Sequence, residues 1–247
     1  MFEQAAFEVR CEWGELGVAQ LAPISDAVII VDVLSFSTAV EIATSRGAVI
    51  FPYRWRDDQA AQFAASMKAE LAHSNFSRPR YTLSPSSLVN IPAGTRLVLP
   101  SPNGSTLSLG TGQTPTYAGC WRNSQAVARA AQHHGPHIAV IPAGERWPDG
   151  SLRPAWEDWV GAGAILRHLP GRRSPEALAA IAAFEVAQSR LADMLWQCGS
   201  GQELIQRGRE RDLALAAELD VSETTPSLRE GAYLKLQQLQ PGGARHA

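Results

Sequence analysis

Asp32 is the only acid in the apolar run Ala27–Val33. A carboxylate at the end of a buried strand is costly unless it meets a cation, a metal or hydrogen-bond donors. Two readings fit: a group facing a ligand, or an acceptor for backbone N–H groups of the next helix. A second candidate is Pro100-Ser101-Pro102-Asn103-Gly104-Ser105-Thr106, set between a predicted strand and a predicted helix. Gly104 permits close backbone approach, Ser105 and Thr106 carry hydroxyls, and a helix start presents amides and a positive dipole end. That suits a phosphate or a carboxylate, although the same residues also make an ordinary turn and N-cap. The order GxxxxGK[ST] is missing, so a nucleoside triphosphate is not implied.

The third candidate is the segment IPAGERWPDGSLRPAWEDWVGAGA, residues 141–164. Glu145 follows a predicted strand, where it can hold a hard cation or orient water. Arg146 can recognise an oxyanion through two parallel N–H groups. Glu157 and Asp158 start a predicted helix, where one acid suits the dipole without further purpose. Two acids, together with Asp32 and Glu145, exceed that need. Four carboxylates at loop ends suit Mg²⁺, which takes one or two carboxylates along with waters and a substrate phosphate. Ser37 and Thr38, shortly after Asp32, are added as substrate-binding candidates with Asn103, Gly104, Ser105 and Thr106.

Other residues carry blander readings. His133, His134 and His137 read as solvent-facing. Gly161-Ala162-Gly163-Ala164 reads as small residues for close helix packing, since no strand precedes it as a dinucleotide fingerprint requires. Arg207, Arg209 and Arg211 read as surface charge. Trp147, Trp156 and Trp159 either wall the site or fill the core.

The elements that position these residues follow from periodicity. Ala27–Val33 reads as a strand buried on both faces, with a capped helix after it, Gly47 as a stop, and a second strand from Val49. That is one β-α-β unit. Asp57–Leu71 is predicted helical, His73–Asn90 loop-rich, Thr95–Leu99 and Tyr117–Gly119 strands, Ser124–His133 a helix, and His137–Ile141 a strand. Trp156–Leu169, Pro175–Gln197 and Gln202–Leu219 are predicted helices, so the chain after Ser174 reads as mostly helical. Strands alternating with helices predict a three-layer α/β/α sandwich with a central, mainly parallel or mixed sheet. Residues 1–240 read as a single domain, with two packed lobes the alternative, and 241–247 as a disordered tail.

Composition excludes several classes. The 247 residues carry 22 Lys+Arg against 24 Asp+Glu, a net charge of −2 that argues against a nucleic-acid binder. Apolar residues make up 45%, ordinary for a packed protein. No apolar run is long enough to span a bilayer, and the acidic start lacks the order of a secretory signal. Three scattered cysteines suggest neither disulfides nor a cysteine zinc site. A cytoplasmic protein is expected, with the alanine-rich C-terminal helices offering a homodimer face.

Six segments in order, VDVLSFSTAVEIATSRGA, LSPSSL, SPNGST, PAGERW, WEDWVGAGAIL and SGQELIQRGRERDLALAAELDVSETTPSL, resemble the 2-phosphosulfolactate phosphatase family. The resemblance implies a three-layer fold and Mg²⁺-dependent hydrolysis of 2-phospho-3-sulfolactate to 3-sulfolactate and phosphate, a step towards coenzyme M. It points to Asp32, Asn103, Gly104, Glu145, Glu157 and Asp158 as metal- or substrate-facing. Two departures stand out: Ser35 where the family commonly has arginine, and Pro142-Ala143-Gly144 where it has Cys-Ala-Gly. Arg146 and Arg54 are the arginines expected to compensate. Leu34 removes the DxD pattern of phospho-enzyme chemistry, so direct water attack is the expected mechanism. The alternatives are a phosphatase for another small phosphorylated acid and a non-catalytic oxyanion-binding protein of the same fold.

Overall fold

A computed structural model describes residues 2–54, 57–73 and 80–235. The expected tail at 241–247 lies outside them. In chain order the elements are β1 (Val9–Cys11), α1 (Gly14–Leu21), β2 (Ala27–Val31), α2 (Phe36–Ser45), β3 (Val49–Tyr53), α3 (Asp58–Ser66), β4 (Glu70–Leu71), β5 (Arg96–Pro100) and α4 (Gly104–Gly110). They continue with β6 (Thr116–Gly119), α5 (Ser124–Gln132), β7 (Ile138–Pro142), β8 (Glu145–Arg146), β9 (Leu152–Arg153), α6 (Trp156–Leu166) and α7 (Pro175–Ala187). The last are α8 (Leu191–Gln197), α9 (Gly199–Gln206), α10 (Glu210–Ala216), β10 (Pro226–Arg229) and β11 (Ala232–Lys235).

Among the described residues nine strands form one sheet in the order β1-β7-β2-β6-β10-β11-β3-β5-β4. Helices cover both faces, as expected for three layers. Val28, Ile30, Ala139 and Ile141 pack with Val18, Leu21 and Leu107 of α1 and α4. The alternate residues Ala27, Ile29, Val31 and Val140 pack with Val127, Ile165 and Phe184 of α5, α6 and α7. The period of two along a strand thus feeds both layers, which is why β2 reads as continuously apolar.

Two features correct the sequence expectations. The predicted helix Asp57–Leu71 stops at Ser66; Asp57 caps it by accepting the Ala60 N–H at 2.9 Å, and Glu70–Leu71 instead pairs with β5 at the sheet edge. Lys68, at φ 50°, takes the chain out of the helical path. More consequentially, the C-terminal region is not all helix. β10 and β11 form a hairpin inserted in the middle of the sheet, antiparallel to β6 on one side and β3 on the other. The predicted β-α-β unit therefore joins strands that share a sheet without being neighbours. Glu230 and Gly231 both have positive φ, the backbone of a two-residue hairpin turn that usually announces itself as Asn-Gly or Asp-Gly. Glutamate in the first of those places hides the signal.

The small-residue stretch in α6 does what its composition suggests. A Cβ on Gly163 would lie 2.0 Å from the Ala180 carbonyl oxygen of α7, so only glycine lets the two helices approach this closely. The obstacle is backbone, which cannot swing aside. Gly163→Ala is expected to cost about 3 kcal/mol, the upper range for overpacking. The urea midpoint of unfolding checks this, and a variant as stable as the parent would show that α7 gives way freely.

Candidate active site

The carboxyl ends of parallel strands are where open α/β sheets bind ligands, and the chain has a cleft there. Its cavity of about 280 Å³ is lined by Asp32 and Ser35 after β2, Ser101 and Asn103 after β5, and Glu145 after β7. The opposite wall carries Ser84, Ser200, Arg207, Arg209 and Asp212. Leu195, Leu213 and Ala216 share a core cluster with Val33, Leu34 and Trp121, which holds α8 to α10 over this end of the sheet.

Asp32 is 5% exposed and accepts two backbone N–H groups, from Phe36 at 3.1 Å and Gly104 at 2.8 Å. The reading as an acceptor for backbone N–H groups of the next helix is borne out, and the same carboxylate also lines the cleft. Each oxygen takes one amide and retains a lone pair. The close approach at Gly104 is made to this carboxylate: a Cβ there would stand 2.3 Å from Phe36 and 2.8 Å from Asp32 Oδ2. Glu145 lies beside it, and its Oε2 accepts the Asn103 side-chain N–H at 2.9 Å.

Other predicted residues are placed differently. Ser37 donates its hydroxyl to the Ile30 carbonyl and receives the Asp32 N–H; Thr38 donates to Val33. Ser105 donates to the Leu99 carbonyl, and Thr106 has a buried hydroxyl that finds no acceptor or donor among the described residues. These four side chains are buried and do not line the cleft. Asp158 accepts the N–H groups of Val33 at 2.7 Å and Gly144 at 2.8 Å, and Glu157 accepts the Cys198 thiol at 3.5 Å. Both acids stand behind the cleft wall. Arg146 turns away to Glu15 and the Gly150 carbonyl, into a second hollow of about 240 Å³ that shares Asn103 and Glu145 with the first. Trp156 packs on Trp121 and Trp159 stacks on Trp13, and both are half-buried against the core.

Of the arginines read as surface charge, Arg207, 65% exposed, and Arg211 keep that character, whereas Arg209 is only 15% exposed. Arg207 and Arg209 line the cleft, and neither Arg146 nor Arg54 does. Arg153 is a further addition: it donates to Ser200 at 3.2 Å and its charge acts on Glu145. Ser84 and Asp212 were likewise unforeseen. No local spacing marks any of them, because α9 and α10 reach the cleft only through tertiary packing.

The electrostatics are those of crowded acids. Burial pushes the Asp32 carboxyl up to about 6, with the charge of Glu157 adding and the Phe36 and Gly104 amides opposing. Burial and then the charge of Asp32 push Glu145 up to about 7. Asp158 is raised by burial, Asp32 and Glu157. The cleft lining itself holds four carboxylates against two guanidinium groups. Such a site needs protons or a cation before it can admit a phosphate. Among the described residues no group of three or more His, Cys, Asp or Glu side chains is placed to hold a metal ion.

The family of 2-phosphosulpholactate phosphatases matches residues 18–231, from the second half of α1 to the hairpin turn. The chain belongs to this family. It is 27% identical over 223 residues to a protein of Thermosynechococcus vestitus named a probable 2-phosphosulfolactate phosphatase, covering 81% of this chain and 88% of that one. A protein of the same name from Gloeothece citriformis is 26% identical over 226 residues, covering 85% and 92%. One from Symbiobacterium thermophilum reaches 31% over 131 residues, covering 51% and 54%. The cleft just described is thus the candidate active site of a phosphatase-family chain. No helix among the described residues is long and apolar enough to cross a membrane.

The raised acids set the pH dependence of stability. Below about pH 4 the folded and unfolded chains both carry the protons, so these groups contribute no difference. As pH rises to 7 the unfolded chain releases them freely while the folded chain resists, so stability falls. In EDTA, Tm is expected to drop by roughly 5 °C between pH 5 and pH 8. Glu145→Gln should flatten that slope. Calorimetric scans across the range check both, and a Tm that rises to pH 8 would remove the burial cost on which the electrostatic account rests.

Proposed function

We propose that the chain is a Mg²⁺-dependent phosphomonoester hydrolase that converts 2-phospho-3-sulfolactate and water to 3-sulfolactate and phosphate. The observation that carries this is the pairing of Asp32 and Glu145 in one cleft at the carboxyl ends of the strands, in a chain of this family. Asp32, with Glu145 beside it, would hold the ion, and Asp158 and Glu157 behind them deepen the negative field that attracts it. Once bound, Mg²⁺ offsets charge on the transferring phosphoryl group and acidifies water.

The protein's own residues supply the remaining steps. Asn103, at the turn into α4, orients Glu145 and faces the phosphate oxygens. Glu145 lies in the cleft beside Asp32, and where Asp32 takes the ion Glu145 is the carboxylate left to take and return a proton. It accepts the proton of the attacking water as the water oxygen bonds to phosphorus. The ester P–O bond then breaks, and Glu145 returns the proton to the departing alkoxide. Leu34, two residues after Asp32, leaves no second aspartate to support a phospho-enzyme, which favours direct attack by water.

Phosphate release from 2-phospho-3-sulfolactate, 2-phospholactate and an aryl phosphate, with Mg²⁺ and with EDTA, tests the reading. Release that needs Mg²⁺ and prefers the sulfonate is expected. Release from 2-phospholactate alone would keep the chemistry and move the substrate; a folded protein that releases nothing would favour an oxyanion-binding role. Asp32→Asn and Glu145→Gln should each lower kcat by about 100-fold or more. Circular dichroism confirms that the variants are folded, and near-parent turnover in Glu145→Gln would take proton transfer away from this residue.

A further inference from the structure

The wall of the cleft opposite Asp32 and Glu145 carries two hydroxyl groups, those of Ser84 and Ser200. Ser84 has its proton committed, since it donates to Asp212 Oδ2 at 2.5 Å. Ser200 differs. Its Oγ accepts an N–H of Arg153 at 3.2 Å. A guanidinium only donates, so this bond uses a lone pair of the hydroxyl and leaves its proton unspent. That proton meets no acceptor among the described residues, although Ser200 is 4% exposed and lines the cleft. The duty a serine often performs at a helix start is taken by a neighbour: the Cys198 sulfur caps α9 by accepting the Gly201 N–H at 3.4 Å. Nor is the placement loose. A Cβ on Gly201 would lie 1.9 Å from the Leu195 carbonyl oxygen, so α9 turns tightly against α8 and fixes Ser200.

Arg153 is itself held in place. It stands directly across the β8–β9 ribbon from Glu145, so the two side chains share one face, and its guanidinium lies 5.8 Å from the centre of the Trp147 ring. The ribbon thus carries a cation from beside Glu145 to the hydroxyl of Ser200. A cationic donor on the oxygen draws electron density from the O–H bond and makes that hydroxyl a stronger donor to an anion. We infer that Ser200 donates a hydrogen bond to a phosphoryl oxygen of the substrate, and that Arg153 is the positioning residue that aims and strengthens it. The inference deepens the hydrolase reading and rests on it for the identity of the ligand as a phosphomonoester. The phosphoryl group is favoured over another acid group by place, since Arg153 is the cross-strand partner of Glu145, which flanks the phosphorus in that reading. The cleft lining is rich in carboxylates, which repel phosphate. A hydroxyl donor backed by a cation offsets that repulsion without adding another acid.

The test has two arms. The first is calorimetric binding of inorganic phosphate in the presence of Mg²⁺, which requires no turnover and so decides the inference even if the hydrolase reading fails. Ser200→Ala should bind phosphate about tenfold more weakly than the parent, the order expected for one hydrogen bond to a charged group. Arg153→Met should also weaken binding, and Arg153→Lys should recover part of the loss. The double variant should bind little more weakly than Ser200→Ala, because Arg153 acts through that hydroxyl. Fully additive losses would overturn the role given to Arg153. The second arm compares kcat/KM for 2-phospho-3-sulfolactate and for an aryl phosphate. Ser200→Ala should lower both about tenfold, because the phosphoryl group is common to them. A loss confined to the sulfonate-bearing ester would place Ser200 on the sulfonate and overturn the inference. Absence of phosphate binding by the parent, or binding unchanged in Ser200→Ala, would overturn it as well. Ser200→Ala removes a single oxygen and keeps the test decisive if Arg153→Met does not fold.

Discussion

Asp32 and Asp158 are buried carboxylates that each accept two backbone amides, and the site depends on those four bonds. Asp32 joins the start of α2 to the start of α4 through Phe36 and Gly104. Asp158 joins the segment after β2 to the segment after β7 through Val33 and Gly144. The β2–α2 turn, the start of α4, the segment after β7 and the start of α6 are thereby held together at the carboxyl ends of the strands. Amides at a loop end lose water on folding and need acceptors, and a carboxylate satisfies two at once. The cost is negative charge concentrated in a dry region.

That cost defines the chemistry available. Burial and mutual repulsion raise Asp32 to about 6 and Glu145 to about 7, so the groups facing the cleft exchange protons readily near neutrality. The same crowding is why the proposed function places a cation here, since a small doubly charged ion would relieve several carboxylates together. Holding the turn and lining the cleft are therefore not alternatives for Asp32. The amides fix its position, and its remaining lone pairs and charge are directed into the cleft.

The C-terminal third completes the enclosure. The β10–β11 hairpin fills the centre of the sheet, and α8 to α10 cover the carboxyl ends of its strands. Arg122 locks this cover to the sandwich: it donates to Glu41 of α2 at 2.6 Å and to the Leu215 carbonyl of α10 at 3.0 Å. Glu41 is almost fully buried, so the pair is specific in placement and costly to break on one side only. The wall that carries Arg207 and Arg209 is anchored through α10 to the helix that begins beside Asp32.

The sequence by itself determined the layered α/β class, most strand and helix positions, and the concentration of Asp32, Asn103, Gly104 and Glu145 at strand ends. These were legible because strand burial, helix periodicity and turn chemistry act over a few residues, and because a charge inside an apolar run stands out. Tertiary structure alone decided which of these side chains face the cleft. Ser37, Thr38 and Ser105 have the right chemistry, but their hydroxyls are consumed by carbonyls of their own β-α turns. The hairpin escaped detection because Glu230 occupies a positive-φ place that asparagine or aspartate usually marks, and because its partners β3 and β6 lie far away in the chain. Arg207 and Arg209 escaped for a related reason. An arginine in the turn between two short helices has the same local pattern whether it faces water or a cavity, and only the packing of α9 and α10 over the sheet distinguishes the two.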